Sequence, residues 1–235
     1  EKFWCLFLGR TSILNILSKG SLCVAIILGC SPASYTQTVE RDDGRQLVED
    51  FLNNVITMTG RFEQQLVDAD AELIEESSGT LDIHRPGQFR WSYFDPYQQM
   101  LIADGLNIWS YDVDLEQVTV KNQAASLSST PAVLLGGSSD VLNDFDYVGS
   151  FADRGTVWVR LRPKNTDNGF NKVELGFTDR KLTRMLFADN LEQTTLIALF
   201  DVVVNEPIDA AHFAFEPPAG VDVVGTPIVA ESVDN

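Results

Sequence analysis

His84 to Val120 reads HRPGQFRWSYFDPYQQMLIADGLNIWSYDVDLEQVTV, four strand-like runs in which large aromatics alternate with polar residues and which Pro and Asp-Gly interrupt. In the first run Phe89, Trp91 and Tyr93 share one side and Gln88, Arg90 and Ser92 the other, the two-residue period of a strand with one buried face. Asp104-Gly105 supplies a hairpin signal of the type I′ kind, in which both central residues take positive φ. Trp109 and Tyr111 repeat the aromatic pattern further on. The block offers a broad apolar surface with few charges and nothing that reads as a reaction centre.

Outward from this block the same period continues. Before it, runs at 61–67 and 73–83 alternate; within it the runs are 88–94, 98–103, 106–112 and 116–121; after it come 146–151, 156–162, 172–177, 182–189 and 193–204, separated by turns rich in Asp, Asn and Gly. Upstream, Leu47, Val48, Phe51, Leu52, Val55 and Ile56 recur at helical spacing, with Asp42 or Asp43 as N-cap and Gly60 just past the end. Thr130-Pro131 begins a short helix through Ala132, Val133, Leu134 and Leu135 that stops at Gly136-Gly137, and a second short helix is expected over 140–145. The predicted fold class is therefore mainly β with helices. About eleven antiparallel strands are expected to curl, with an N-terminal helix and a short helical lid over 130–145 filling the concavity, because closure or a cover removes exposed strand edges. Strands alone also permit a sandwich.

The first residues read differently. Lys2, Arg10 and Lys19 precede an apolar run from Leu22 to Leu28 that ends in Ser31-Pro32-Ala33, the pattern of a signal peptide over 1–33. The apolar run is far short of the roughly 20 residues of a membrane-spanning helix. A competing reading takes Ile27-Leu28-Gly29-Cys30 as a lipobox with Cys30 acylated. Residues 34–40 form a polar lead-in, and 41–235 a single domain. Cys5, Cys23 and Cys30 all lie in the leader, so the 202 residues after Ala33 have no disulfide and must rely on a core.

The whole chain carries a formal charge of −17. Removing the leader leaves 14 Lys and Arg against 33 Asp and Glu, a formal −19, which argues against nucleic acid as a partner. An acidic exterior also suits a protein that must not linger on anionic lipid; general solubility and a salt-adapted proteome are equally consistent with it.

Several ordered pieces resemble the LolA family of outer-membrane lipoprotein carriers. Arg85-Pro86-Gly87 with Phe89-Arg90-Trp91 is similar to its RPxxFxW segment; Asp104-Gly105, Trp109-x-Tyr111 and Glu116-Gln117 follow at the family's spacing. Thr130-Pro131 stands where the lid helix begins, and Phe213-x-Phe215-x-Pro217-Pro218-x-Gly220-Val221 resembles the C-terminal signature. The resemblance runs from about Leu47 to Val224 and implies an incomplete β-barrel with a helical lid, agreeing with the strand count. It further implies a periplasmic chaperone that takes acylated lipoproteins from the inner-membrane ABC transporter LolCDE to the outer-membrane receptor LolB, as a monomer and without a cofactor. A receptor or sensor module of the same fold, LolB-like or RseB-like, is the alternative.

Catalysis has little to build on. His84 and His212 are the only histidines, there is no Gly-x-Ser-x-Gly elbow, and Asp112-Val113-Asp114 reads as a turn before it reads as a ligand pair. Paired carboxylates for glycoside hydrolysis stay open, since their separation is a structural quantity. No catalytic residue and no metal ligand is expected, and the chain is read as a carrier and not an enzyme. A lipid anchor buries about 0.8 kcal/mol per CH₂, so a long acyl chain needs an apolar shelter to cross water. Trp91, Leu101 and Trp109 are the expected cavity wall, with Val133, Leu134 and Leu135 on the lid; the same residues would equally make a closed, dry core. By the resemblance Arg85 is the lid latch, a guanidinium bonded to carbonyls of the lid helices; by its residue alone it would be an exposed strand-end arginine. Phe89 matches a family position near the mouth that influences transfer.

Overall fold

The computed structural model describes residues 41–126, 131–137, 139–165 and 169–229, with backbone alone at 41–42, 125–126, 131–133 and 139. Period-2 alternation produces strands where it occurs. The first six are β1 (Thr57–Val67), β2 (Leu73–His84), β3 (Gln88–Asp95), β4 (Gln99–Asp104), β5 (Asn107–Asp112) and β6 (Gln117–Asn122). Helices α1 (Arg41–Asn54), α2 (Gln123–Ser126) and α3 (Pro131–Gly136) lie before and after them, followed by a 3₁₀ helix over Ser139–Asp144. Five more strands follow, β7 (Phe145–Asp153), β8 (Thr156–Pro163), β9 (Phe170–Thr178), β10 (Lys181–Asp189) and β11 (Thr194–Val204), and then a three-residue β12 (Asp222–Val224).

The strands form one row in the order β12-β6-β5-β4-β3-β2-β1-β11-β10-β9-β8-β7. Two meanders, β1 to β6 and β7 to β11, are joined along a single seam where β1 pairs β11 antiparallel, Phe62 opposite Leu199. Every neighbouring pair is antiparallel except β12 with β6, which is parallel.

This corrects the expected curled, incomplete barrel of about eleven antiparallel strands. The sheet is mixed and twelve-stranded, and it is an open row with β7 at one end and β12 at the other. The premise that edges must be closed or curled away is what fails, because the edges are blunted instead. Strand β12 has only three residues, and β7 carries a register shift between Tyr147 and Gly149, where Gly149 has φ +153. A short edge and a bulged edge both resist pairing with another strand.

Two local expectations are also corrected. Gly60 does not end the helix, which stops at Asn54; it is a strand residue at a register shift between Thr59 and Arg61, and a Cβ there would stand 3.2 Å from the Phe200 carbonyl oxygen. The β4–β5 turn is not type I′. Asp104 is the last strand residue, and only Gly105, at φ +102, has positive φ in the turn.

The helices cover one face. The main core joins Leu47, Val48, Phe51 and Leu52 of α1 and Leu134 and Leu135 of α3 to inward residues of most strands, including Phe62, Leu81, Phe89, Trp91, Val159, Leu175, Phe177 and Ile197. Helix α1 lies against β7 and β8, and α3 against β2 and β3. Gly44 permits the first contact, since a Cβ there would fall within 2.5 Å of the Ser150 side chain. A second, smaller core occupies the other face: Ile102, Trp109, Tyr111, Val118 and Val120, with Phe215 and Val221 of the C-terminal segment packed on it.

Candidate functional site

Arg85 directly follows β2 and ends up 6 % exposed, beneath the C-terminal ends of two helices. Its Nε donates to the Leu135 carbonyl at 2.7 Å; its Nη1 donates to Phe51 at 2.9 Å, Val55 at 2.7 Å and, more weakly, Leu52 at 3.4 Å. The last carbonyls of a helix lack intrahelical donors and carry the negative end of its dipole, so a buried cation there satisfies both needs. The guanidinium also stacks over the Phe51 ring, 4.5 Å from its centroid. Burial lowers the Arg85 pKa from its ordinary value to about 10, leaving the group charged at neutral pH. One side chain thus ties α1 and α3 to the end of β2 through carbonyl oxygens and a ring, rather than through a carboxylate.

The next residues reinforce the attachment. Gly87 N donates to the Gly136 carbonyl at 2.8 Å, and the Gly87 carbonyl accepts from Gln123 Nε2 at 2.6 Å. Gly87 has φ +84, a conformation open to glycine without penalty, and its Cβ position would lie 3.2 Å from Gln123 Nε2. Gln123 also accepts from Gly105 N at 3.1 Å, so it bridges the β2–β3 and β4–β5 turns. Sequence reasoning missed Gln123: a polar residue just after a strand carries no signal of its own.

Among the residues expected to form the cavity wall and lid, Trp91, Leu134 and Leu135 are buried in the main core, and Leu101 packs against it partly exposed. Phe89 is buried in the same core at 2 % exposure, and its ring is so close to α3 that a Cβ on Gly136 would stand 2.9 Å from Phe89 Cδ1. The side chain of Val133, like Thr130, the leader 1–33 and the lead-in 34–40, lies outside the described residues. Trp109 is on the opposite face. Trp91 pairs with Leu101 and Leu101 with Ser110, whereas Trp109 pairs with Ile102 and belongs to the second core.

That opposite face is covered by the chain's C-terminal segment. Phe215 packs 5.5 Å from the Trp109 ring and 6.0 Å from Tyr111. Arg90 donates to the carbonyls of His212 and Ala214 at 3.0 and 3.3 Å, and Asn107 exchanges two hydrogen bonds with the backbone of Ile228. Trp109 Nε1 donates to Asp104 Oδ2 at 2.7 Å, while Asp104 Oδ1 accepts from the amides of Leu106 and Asn107. Burial alone would raise the Asp104 pKa, but the hydrogen bonds from Trp109, Asn107 and Leu106 outweigh it and hold the carboxyl below its ordinary value.

Five buried side-chain polar atoms among the described residues lack a hydrogen-bond partner: Arg85 Nη2, Trp91 Nε1, Tyr147 OH, Ser150 Oγ and Trp158 Nε1. An open cavity of about 310 Å³ lies on the edge strand, lined by Val148, Gly149, Ser150, Phe151 and Arg160, and neither Arg85 nor the apolar wall contributes to it. Among the described residues no group of three or more His, Cys, Asp and Glu is placed to hold a metal. Asp112 Oδ1 accepts from Leu115 N at 3.0 Å, a turn contact.

Residues 53–216 match the family model described as outer membrane lipoprotein carrier protein LolA. Outer-membrane lipoprotein carrier proteins are also among the similar sequences. That of Halorhodospira halophila is 40 % identical over 202 residues, 86 % of this chain and 92 % of the relative; that of Dechloromonas aromatica is 39 % identical over 178 residues, 76 % and 86 %. The chain belongs to the LolA family. A crystal structure of a LolA superfamily protein from Nitrosomonas europaea has a TM-score of 0.48 at 10 % identity, covering 75 % of this chain and 98 % of that one. Within this LolA-family chain, the matched segment includes Arg85, Gly87, Phe89, Trp91 and Gln123.

Proposed function

We propose that this LolA-family protein is a periplasmic carrier that shelters the acyl chains of lipoproteins beneath α1 and α3, and that Arg85 is the latch on that cover. It is a carrier and not an enzyme, in keeping with its family. The observation that carries the reading is the set of Arg85 contacts: one buried cation holds the C-terminal carbonyls of both helices over an apolar sheet face. Each hydrogen bond from a charged donor is worth about 1.5–3 kcal/mol, but burying the cation offsets much of that gain. The result is a cover that holds when empty and opens when acyl chains supply comparable burial.

In the cycle we propose, an N-terminal leader 1–33 directs export, residues 34–40 precede a single carrier domain, and the transporter LolCDE loads the protein, which unloads to the receptor LolB. Energy enters at the transporter, since moving acyl chains out of a bilayer is uphill and this chain has no phosphate-binding Gly-rich loop. Phe89, which packs under the end of α3, is uncovered when that helix lifts and shapes the exit. Trp91, Leu101, Leu134 and Leu135 line the opened space; Trp109, on the far face, does not.

Transfer between purified components tests this. Arg85→Leu removes the latch, so it should accept lipoprotein and fail to pass it to the receptor, and Arg85→Lys should do little better because one ammonium cannot serve two helix ends. Handover by the Leu variant at the wild-type rate would show that the latch is not at Arg85.

A further inference from the structure

Trp91 is 2 % exposed and its indole ring packs 5.0 Å from Phe62, yet its Nε1 donates to nothing. Buried donors in folded proteins are almost always paired, and one left over in an otherwise apolar region asks for a reason. The other unpaired atoms show a pattern. Arg85 Nη2, Tyr147 OH and Ser150 Oγ lie with Trp91 on the face covered by the helices, under α1 and α3. On the face covered by the C-terminal segment, the corresponding indole, that of Trp109, is satisfied by Asp104 at 2.7 Å. Trp158, on that outer side of β8 opposite Gly176, is the exception.

Resting on the carrier reading above, we infer that Trp91 Nε1 is a specificity donor for cargo: it hydrogen-bonds an ester carbonyl of the acyl-glycerol moiety once the cover lifts. Hydrocarbon chains offer no acceptor, and an acyl ester offers a carbonyl with two lone pairs at the head of each chain. In water such a bond is nearly neutral, because both groups exchange a solvent partner for each other. Beneath the cover the indole N–H has already lost water, so the ester satisfies a donor that the empty protein leaves bare. Phe89, two residues earlier on the same side of β3, packs under the end of α3, so Trp91 comes next inward along the strand from the helix that must move. An ether-linked chain fills the same space and cannot make this bond as well.

The experiment compares two probes of equal chain length on the folded protein, a diacyl glycerol ester and its dialkyl ether analogue, by competition against an environment-sensitive fluorescent fatty acid. Wild type should prefer the ester by roughly tenfold, the value of one hydrogen bond that satisfies a buried donor. Trp91→Phe keeps an aromatic side chain and removes the donor, and the space it frees acts on both probes alike, so its ester-to-ether ratio should fall to near one. Trp158→Phe removes an equally unpaired indole N–H on the outer face and should retain the wild-type ratio. As a check that needs no variant, the indole proton of Trp91 in nitrogen-15 spectra should move downfield with the ester probe and not with the ether. Equal binding of both probes to wild type, or a Trp91 indole resonance indifferent to the ester, overturns the inference while leaving the carrier reading intact. If neither probe binds, the carrier reading itself fails.

Discussion

The two faces of the sheet are covered in opposite ways. On one, a buried arginine at the end of β2 reaches main-chain carbonyls of α1 and α3, the Gly87–Gly136 hydrogen bond, the Asn205–Asn54 bond and the exposed Arg180–Asp50 ion pair add to it, and four buried polar atoms beneath the helices stay unpaired. On the other, the C-terminal segment is sewn down by a parallel strand pairing, by Asn107 to Ile228, by Arg90 to two carbonyls and by an indole bonded to Asp104. Gly225 comes so close to β6 that a Cβ would lie 2.2 Å from the Val120 carbonyl oxygen. A cover whose one buried polar fastening is a side chain, with donors left over beneath it, suits opening; a cover with distributed, satisfied contacts suits staying shut.

That contrast can be broken by truncation on each side. Trp109→Ala should cost about 3–5 kcal/mol of stability in urea unfolding, as large-to-small changes in a tightly packed core do. Leu134→Glu, on the inward side of the helical cover itself, should cost clearly less and abolish binding of a fatty-acid probe. Unfolding by Leu134→Glu, together with no probe binding by wild type, would make the helix-covered face an ordinary core.

The two arginines offer a finer comparison. Arg90→Leu loses two exposed contacts to the C-terminal segment and should lower stability by about 1 kcal/mol or less, with lipoprotein handover unchanged. Arg85→Leu should do the reverse, sparing the fold and stopping handover. Similar handover defects in both variants would erase the distinction between the covers.

The smallest expected effects concern pH, and they too divide by face. The Asp104 carboxyl is held below its ordinary value, so the stability it contributes is present above the unfolded pKa of about 4 and is lost as pH falls through the lower folded value. Asp104→Asn should flatten the acid limb of an unfolding profile. On the helix-covered face Tyr93, against Phe62, is pushed from 10 up to about 12 by burial, which a hydrogen bond to Gln64 opposes and the charge of Glu75 assists. Its contribution is complete below pH 10 and lost as pH rises from there to about 12, so Tyr93→Phe should flatten the alkaline limb. An acid limb unmoved by Asp104→Asn would show that another carboxyl governs it.

The strands were legible because each has one buried face, and alternation follows from that. Strand β12 was not: three residues paired in parallel carry no period. The open sheet was misread because alternation reports which face is buried and says nothing of how a row ends. The displacement of Trp109 was legible in principle. A two-residue turn after Asp104 places odd-numbered residues of β4 opposite even-numbered ones of β5, so Leu101 faces with Ser110 and Trp109 falls behind. Grouping the two tryptophans by hydrophobicity ignores that count. The partners of Arg85 are different in kind, since backbone carbonyls at helix ends have no residue identity to read.

The seam between β1 and β11 bears on how the chain must fold. The first meander can form from neighbouring segments, but the outer edge of β1 waits for a partner far along the chain; Arg61 and Asp201, which meet across the seam, are 140 residues apart. During synthesis, which proceeds from the N-terminus, that central strand is bare until β11 and everything between the two strands has been made. Closing so long a loop is slow. The hazard of edge-to-edge association is therefore greatest in the nascent chain, at the middle of the future sheet, where the finished protein has no edge at all.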